Sequence, residues 1–578
     1  MHGARLVPLL AIAVVLFLPA CGGGGGNAAR LARADRPHPS DELLFVRDGI
    51  VIPAGAPDFA VVGKTMVGGR PHSGVRYGPE ALFVTFPTAP GDRVFTKHRG
   101  KLRSGQTPQQ VTAWRIDSIP LEDVRNVTLT GNLADSVTAI AGTTVAVGTY
   151  TGKLHLRRLI GGGPPASTQL VRGGMVKALA FPPEDPDRPF PPDGTAEPSL
   201  LYAGEQSPRG RFRALALPGL TERWGFDLAE DLGEGTLPGP ENPYGIYELP
   251  GVFQIVARQR RVFFVGVRSF SEADGSKQNR SRLYCYSPAG ERLWAWPPDG
   301  YAPLNILRFD ASAGTLLLAT SRSLEAPPDP TYQDRAVYAL DSATGVERAH
   351  LQIPPLPNFP DVPFIWQSVG ISGDGQTGAI GLSDGRAVLL DLPQKGDPEP
   401  VVRIRTTLDL GGPIETAGVT LTAPVSFALC QGDDCYFHTS GSNIPPGATD
   451  SATAPPAPHP GANTLVSVNA KTGEIQWSYR NPAGFNGLAT DGRGRWLLTT
   501  TGNPLYPDQA AGYGILVFDT WEDGPTVDRI AWQQPLAAPG FFNTAISADG
   551  FFIAVTETPI INPDGVSTTG TYQTHVYH

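Results

Sequence analysis

One segment of the sequence, Gly381-Leu-Ser383-Asp-Gly385, has the residue types and spacing of a serine nucleophile. Such a serine lies on a turn between a strand and a helix, so that the helix N-terminus and backbone amides can hold the oxyanion. The residues after Gly385 are Arg-Ala-Val-Leu-Leu-Asp-Leu, an apolar run typical of a strand. The segment therefore predicts a hairpin turn and not a catalytic serine.

The histidines and carboxylates predict no site of their own. None of the ten histidines belongs to a His-Glu-x-x-His pattern, which would hold zinc on one helix face. The nearest pair, His575 and His578, would project to opposite faces of a strand. Adjacent carboxylates such as Asp433 and Asp434 are typical of turns, and acid–base catalysis depends on a separation in space that a sequence does not give. We predict no catalytic residue and no metal site.

The N-terminus has the organisation of a secretory signal. Arg5 precedes an apolar run from Leu6 to Leu18, and Pro19, Ala20, Cys21 and five glycines follow. A charged start, a short apolar segment and small residues before a cleavage site are typical of signal peptides, and thirteen apolar residues are too few to span a bilayer. We predict a signal peptide over residues 1–20.

The segment Leu18-Pro19-Ala20-Cys21 resembles the lipobox of bacterial lipoproteins. This resemblance implies that Cys21 becomes the mature N-terminus and carries the lipid that holds the protein on a membrane. Gly22, at the position where an aspartate would favour the inner membrane, implies the outer membrane by the same analogy. A secreted protein without lipid on Cys21 is the alternative. Residues 21–40 are glycine- and arginine-rich with no apolar period, and they predict a flexible tether.

Composition restricts the fold class and the partners. The 68 glycines and 58 prolines, with only 17% charged residues, indicate frequent tight turns and few exposed amphipathic helices. This composition predicts an all-β fold. The net charge is -9 and no dense cluster of Lys and Arg could follow a phosphate backbone, so we expect no nucleic-acid partner.

A pattern of strands and turns recurs from residue 135 onward at intervals of about 45–60 residues, which is typical of propellers and solenoids. Tight turns recur in it at Phe309–Gly314, Ile371–Gly375, Ala489–Gly492 and Ile546–Gly550. The segments Ala339-Leu-Asp341-Ser-Ala-Thr344-Gly345 and Leu465–Trp477 resemble blades of quinoprotein-like and WD-repeat propellers, although Ala349 replaces the first tryptophan and Ser467 and Asn469 depart from the second copy. In that family the tryptophans pack between blades.

The resemblance implies a single β-propeller of four-stranded antiparallel blades over residues 41–578. We predict eight blades, with seven or nine as alternatives, closed by N- and C-terminal strands that include Leu43–Val51. The segments that carry the pattern are 75–128, 135–170, 174–228, 246–297, 303–353, 366–408, 415–480, 484–534 and 541–578.

Binding residues are predicted on one face of the propeller. That face carries the loops between second and third strands, predicted at 268–281, 321–335, 440–462, 502–513 and 557–571, of which 440–462 is expected to be disordered. Five aromatic residues precede or begin innermost strands, namely Tyr247, Tyr301, Trp366, Phe485 and Phe542. They could ring the channel mouth as a stacking surface, or pack between blades. Arg268 and Arg322 could add anion contacts or be solvated.

The remaining cysteines predict one disulfide. Cys430 and Cys435 flank Gln-Gly-Asp-Asp, a turn-forming sequence between two apolar runs. In an oxidising compartment a bond across this hairpin is expected, with two free thiols as the alternative. Cys285 lies in a strand-like segment and is expected to be a buried apolar residue.

Together these features predict a monomeric, lipid-anchored propeller that is a non-catalytic binding or scaffold module of the bacterial cell envelope. Its expected partner is an envelope protein or polymer. An enzyme on a quinoprotein-like propeller, either an oxidoreductase or a glycan hydrolase or lyase, is one alternative, and a carrier or sensor of a small ligand is another. No cofactor is expected, and quinone and calcium enter only through the family analogy.

Overall fold

The structure is a computed structural model that describes strand backbones between residues 43 and 115 and most of the chain from 137 to 577. Within the second range the described residues exclude 150, 160–165, 184–196, 238–246, 259, 273–275, 322–330, 358–364, 417, 444–457, 503–512, 523–528, 538–539, 541–543, 551, 558–559, 562–567 and 570–572.

The backbone of the N-terminal part forms short strands. They are β1 (Leu43–Arg47), β2 (Ile50–Pro53), β3 (Ala60–Val61), β4 (Thr65–Val67), β5 (Arg70–His72), β6 (Val75–Arg76), β7 (Val84–Pro87), β8 (Val94–Lys97) and β9 (Gln110–Arg115). The antiparallel pairs are β1 with β2, β3 with β6, β4 with β5, and β7 with β8.

The next strands form four-stranded antiparallel sheets, here named blades A to D. Blade A contains β10 (Val137–Ala141), β11 (Thr144–Gly148), β12 (Lys153–Arg158) and β13 (Ala166–Gln169). Blade B contains β14 (Met175–Ala180), β15 (Leu200–Gln206), β16 (Arg211–Ala216) and β17 (Thr221–Asp227), and a short helix, α1 (Ala229–Leu232), follows it. Blade C contains β18 (Gly251–Arg258), β19 (Arg261–Ser271), β20 (Lys277–Tyr286) and β21 (Arg292–Trp296). Blade D contains β22 (Asn305–Ser312), β23 (Thr315–Ser321), β24 (Ala336–Asp341) and β25 (Glu347–Gln352).

Blades E to H continue the series. Blade E contains β26 (Ile365–Ile371), β27 (Thr377–Leu382), β28 (Arg386–Asp391) and β29 (Arg403–Asp409), and the hairpin β30 (Ile414–Thr416) and β31 (Val419–Leu421) follows it. Blade F contains β32 (Val425–Gln431), β33 (Asp434–Thr439), β34 (Thr464–Asn469) and β35 (Ile475–Arg480). Blade G contains β36 (Phe485–Thr490), β37 (Trp496–Thr501), β38 (Gly514–Asp519) and β39 (Ile530–Pro535). Blade H contains β40 (Thr544–Ile546), β41 (Ile553–Thr556), β44 (Gln573–Tyr577) and β9, and the pair β42 (Ile560–Ile561) and β43 (Thr568–Thr569) lies between β41 and β44 in the chain.

The blades are arranged in a ring. The first strand of each blade contacts the first strand of the next, and β40 of blade H contacts β10 of blade A. Middle strands are buried on both faces, as β23 is along nearly its whole length, because each blade packs against a neighbour on either side. The chain is therefore an all-β propeller. Eight as the number of blades in the whole chain stays a prediction.

Closure by N- and C-terminal strands involves a different segment from the predicted one. The outer edge of β44 pairs with β9, so residues 110–115, which lie within the predicted segment 75–128, complete blade H. Leu43–Val51 was the predicted closing strand, but β1 pairs with β2 instead. Asp48 and Gly49 separate these two strands, and an Asp-Gly pair favours a local two-residue hairpin over a distant pairing.

Tryptophans dock onto the neighbouring blade, as the family resemblance implies. Trp294 donates a hydrogen bond to the Ser342 carbonyl at 3.2 Å, and its ring covers Gly345 so closely that a Cβ there would lie 2.5 Å from it. Trp224 covers Gly290 in the same way. Both glycines have positive φ and no side chain, which lets the indole approach the turn.

The predicted disulfide is present. Cys430 and Cys435 occupy directly opposed positions of β32 and β33, and their Cα atoms are 4.1 Å apart. Gly432, with φ of 60°, supplies the left-handed conformation of the turn between them. Cys285 is buried, as expected, and burial raises the pKa of its thiol to about 12.

Candidate ligand-binding site

The two ends of the ring differ in their loops. First and second strands are joined by short turns in every described blade except B, where residues 181–199 join them; the turn between Ser312 and Thr315 in blade D is an example. In blades D, F, G and H the second and third strands are joined by longer segments at the opposite end, at 322–335, 440–463, 502–513 and 557–572. We call this end, where the innermost strands also begin, the loop-rich face. Residues 444–457 of the loop expected to be disordered lie outside the described residues.

The predicted loop at 268–281 is mostly strand, which corrects the sequence analysis. β19 and β20 stay paired as far as Ser271 and Lys277, so only five residues connect them. The polar composition of this segment suggested a loop, but polar side chains are compatible with a hairpin that projects beyond the blade. The extension makes Arg268 and Arg280 directly opposed partners.

Innermost strands are irregular where they begin at the loop-rich face. Extra residues interrupt the pairing of first and second strands at Lys177, Phe253, Leu307, 366–368, Ser426 and 486–487. A bulge leaves one residue unpaired and re-aims its side chain, and bulges are common next to functional sites. The channel mouth is therefore surrounded by irregular positions in six blades of the described part.

Two of these bulges bring together a cation and an exposed aromatic ring. Phe253 is 39% exposed although it belongs to an innermost strand. The Nζ atom of Lys177, from the preceding blade, lies 5.6 Å from the centre of the Phe253 ring. Sequence reasoning missed Phe253 because it lies within the apolar run of β18. The alternation of apolar residues that indicates a strand does not indicate where a bulge occurs.

A second cation faces the channel from blade D. The guanidinium of Arg308 lies 5.6 Å from the ring of Phe427, which belongs to the innermost strand of blade F. Because blade E separates these two blades, the contact reaches across the channel. Burial lowers the pKa of Arg308 below its ordinary value, and the attraction of Asp310 opposes this shift.

The predicted aromatic residues have different environments. Phe485 is only 7% exposed and packs in the core between blades F and G, and Tyr247 packs against Met175 and Leu249, so inter-blade packing describes both. Tyr301 is 37% exposed. For Trp366 the structure describes only the backbone, and Phe542 lies outside the described residues, as does Arg322.

Tyr301, which lies between β21 and β22, and Arg268 belong to one cluster at the end of the β19–β20 hairpin. The guanidinium of Arg268 lies 4.0 Å from the centre of the Phe270 ring, and that of Arg280 lies 5.0 Å from it. Arg280 also lies 4.9 Å from the Tyr301 ring. We call these four residues the arginine cluster. Sequence reasoning missed Arg280 and Phe270, and the alternation of Arg268-Ser-Phe270 is the one signal that could have indicated a strand there.

Backbone carbonyls hold the two guanidinium groups. Arg268 and Arg280 each donate from Nη1 to the Leu232 carbonyl at the end of α1, at 3.4 and 3.2 Å. The Nε of Arg268 also donates to the Glu248 carbonyl at 3.4 Å. Burial and the neighbouring Arg280 lower the pKa of Arg268, against the attraction of Glu272 and Glu248. Among the residues that the structure describes, no carboxylate forms an ion pair with either arginine.

The serine motif of the sequence occupies a hairpin turn. Ser383 lies in the turn between β27 and β28, so the Gly381–Gly385 segment is the predicted hairpin. No group of three His, Cys, Asp or Glu side chains that could hold a metal ion occurs in the described ranges. The described helices are also too short or too polar to cross a bilayer. The cations and exposed rings of the loop-rich face are suited to binding.

Several solved structures are similar to this chain. BamB from Moraxella catarrhalis has 12% sequence identity and a TM-score of 0.41, with 82% of this chain and 98% of that chain covered. Sqt1 from Chaetomium thermophilum has 11% identity and a TM-score of 0.44, with coverage of 77% and 95%. The same Sqt1 bound to the N-terminus of the ribosomal protein L10 has 10% identity and a TM-score of 0.42, with coverage of 77% and 97%. No protein-family model matches the chain, and no curated protein does.

Proposed function

We propose that this protein is a lipid-anchored, non-catalytic binding module of the bacterial cell envelope that presents its loop-rich face to a protein partner. The observation that carries the proposal is the occurrence of exposed rings beside cations on the loop-rich face, above all Phe253 beside Lys177 and Tyr301 beside Arg280. Exposed aromatic rings with adjacent cations are typical of protein-binding surfaces. We also propose that the protein is a monomer and that it holds no cofactor.

The anchor would be the lipid on Cys21, in the outer membrane. A flexible chain of about twenty residues has a mean end-to-end distance of about 25 Å, so the tether 21–40 would keep the propeller close to the membrane surface. A partner in the same membrane would then meet the loop-rich face at high effective concentration.

The anchor can be tested by substitution of Cys21. Cys21→Ser removes the thiol that would carry the lipid, so we expect the protein to move from the membrane fraction to the soluble fraction and to lose its acyl mass. Pro19→Ala is the matched control, because it leaves the cysteine in place and should keep the protein in the membrane fraction. Membrane retention of Cys21→Ser, or a wild-type protein without acyl mass, would contradict the anchor.

The binding face can be tested by site-specific photocrosslinking in cells. A photoreactive phenylalanine at position 253 should yield one discrete crosslinked partner, because this ring is exposed at the channel mouth. The control position is Val346, which is 63% exposed in the turn between β24 and β25 at the opposite end of the ring, and we expect no crosslink there. Equal crosslinks at both positions, or none at 253, would overturn the proposed function.

A further inference from the structure

The arginine cluster holds two positive charges unusually close together. A Cβ atom built on Gly233 would lie 2.9 Å from Nη1 of Arg268 and 3.0 Å from Nη1 of Arg280, so both nitrogen atoms lie close to the same point. Two like charges at such a separation repel each other, more strongly in a half-buried site than in water. Something in the fold must offset this repulsion.

Neutral groups offset it in the described structure. The Phe270 ring lies under both guanidinium groups, and the Leu232 carbonyl accepts a hydrogen bond from each. Gly233 has φ of 83° and no Cβ, which allows the arginines to approach this backbone. The Leu232 carbonyl stabilises these cations as a hydrogen-bond acceptor, and the ring face stabilises them through its quadrupole. Among the described residues, the site thus keeps both arginines in place without an ion pair to a carboxylate.

The arginines keep most of their hydrogen-bonding capacity. Three hydrogen bonds engage them among the described residues, whereas two guanidinium groups offer about ten N–H donors. Two adjacent planar forks match the two oxygens of a carboxylate in the bidentate geometry that arginine prefers. The exposed Tyr301 ring, 4.9 Å from Arg280, offers an apolar surface beside them.

We propose that Arg268 and Arg280 form a carboxylate-binding subsite for an acidic segment of the partner protein. The proposal rests on the proposed function and specifies the chemistry of its ligand. The carboxylate would accept hydrogen bonds from both guanidinium groups, and the neighbouring apolar part of the segment would pack on Tyr301.

The surrounding charges favour a carboxylate over a phosphate. Glu248 and Glu272 attract Arg268, and Lys277 of the same hairpin donates a hydrogen bond to Ser271 Oγ at 2.6 Å. The whole chain carries a net charge of -9. A phosphate dianion would meet about twice the long-range repulsion from this net negative charge that a carboxylate monoanion would meet.

The test measures peptide binding to the full-length protein in detergent by fluorescence anisotropy. The probes are labelled ten-residue Gly-Ser peptides with an amidated C-terminus that contain three glutamates, three glutamines or three phosphoserines, and a neutral peptide with a free C-terminal carboxylate. We expect the glutamate peptide to bind at least about tenfold more tightly than the glutamine peptide, the size expected for charge-assisted hydrogen bonds. Equal affinity of the free C-terminal peptide would identify a chain terminus as the carboxylate source.

Variants assign the binding to the arginine cluster. Arg268→Gln with Arg280→Gln should weaken the glutamate peptide about tenfold. The control Lys395→Gln with Arg403→Gln removes the same charge from exposed positions of blade E and should leave affinity unchanged. If the variant with both glutamines does not fold, Tyr301→Ala tests the same subsite, because this ring is exposed. We expect it to weaken binding of the glutamate peptide several-fold.

The outcomes separate the two proposals. Equal binding of the glutamate and glutamine peptides, preferential binding of the phosphoserine peptide, no binding of any carboxylate peptide, or unchanged affinity of both cluster variants would each overturn the carboxylate subsite. A crosslink at position 253 would still support the proposed function in that case. If position 253 yields no crosslink but the glutamate peptide still binds to the arginine cluster, the proposal of a protein partner is overturned and the carboxylate-binding subsite is retained.

Discussion

Replacing Phe264 by alanine is expected to lower the free energy of unfolding by about 3–5 kcal/mol. Phe264 is fully buried, and its ring stacks on Phe212 with centroids 4.0 Å apart. The rings of Tyr284 and Tyr286 lie 5.0 and 5.5 Å from it. Alanine would remove the apolar area and leave a cavity between blades B and C that these large rigid rings could fill only in part.

Chemical denaturation monitored by circular dichroism measures this loss. The matched control is Phe253→Ala, the same substitution at a partly exposed ring of the adjacent strand, which should cost only about 1–2 kcal/mol because part of its surface already contacts solvent and no closed cavity forms. Phe264→Leu should fall between the two, since it keeps part of the volume. Equal losses for Phe264→Ala and Phe253→Ala would contradict the packing described for blades B and C.

The propeller could be predicted from the sequence because its turns are local. The segments at Phe309–Gly314 and Ile371–Gly375 are turns between first and second strands, and Gly314 and Gly375 have the positive φ that such turns require. The contact of Trp294 with Gly345 likewise involves a short motif, Ala339–Gly345, that is visible in the sequence. Each of these features depends on a few consecutive residues, so one repeat is enough to indicate it.

The closing strand could not be predicted, because its pairing joins residues that are distant in the chain. β9 and β44 are more than 400 residues apart in the chain, and no local residue pattern selects one distant edge partner over another. Leu43–Val51 has a stronger apolar pattern than Gln110–Arg115, but its first strand pairs with the strand that follows directly in the chain. A pattern of apolar residues identifies a strand and does not identify its neighbour.

The candidate site was predicted in part for a related reason. The position of Arg268 and Tyr301 near strand ends was visible in the sequence, and the structure brings both into the arginine cluster. Their connection passes through Arg280, whose opposition to Arg268 depends on how far the β19–β20 pairing extends. Phe253 depends on a bulge. Register and bulges arise from the packing of whole strands, so neither could be derived from residue types.

Acidification is expected to destabilise the propeller through His438. This residue is buried in blade F, its ring stacks on Phe427 with centroids 5.5 Å apart, and its Nε2–H donates to the Asn486 carbonyl. The Nδ1 atom then accepts a hydrogen bond from the Ser426 hydroxyl at 3.2 Å. Burial lowers the pKa of His438 from 6.5 to about 4, because the imidazolium would lose its hydration there.

The direction of the effect follows from proton binding. Above pH 6.5 the imidazole is neutral in both the folded and the unfolded chain, so its full contribution to stability is present. Between pH 6.5 and about 4 the unfolded chain takes up a proton that the folded protein does not, so stability falls as the pH falls. A pKa difference of this size corresponds to a loss of roughly 3 kcal/mol from this one residue.

His438→Gln removes the titrating group but can keep the donor to Asn486. We expect this variant to be less stable than wild type at pH 7 and to lose less free energy of unfolding between pH 7 and pH 4, by roughly 3 kcal/mol. His350→Gln, at an exposed position of blade D, is the control and should lose as much as wild type. An identical acid loss in His438→Gln and wild type would show that the buried imidazole is not what couples folding to protonation, and that the carboxylates must account for the pH dependence.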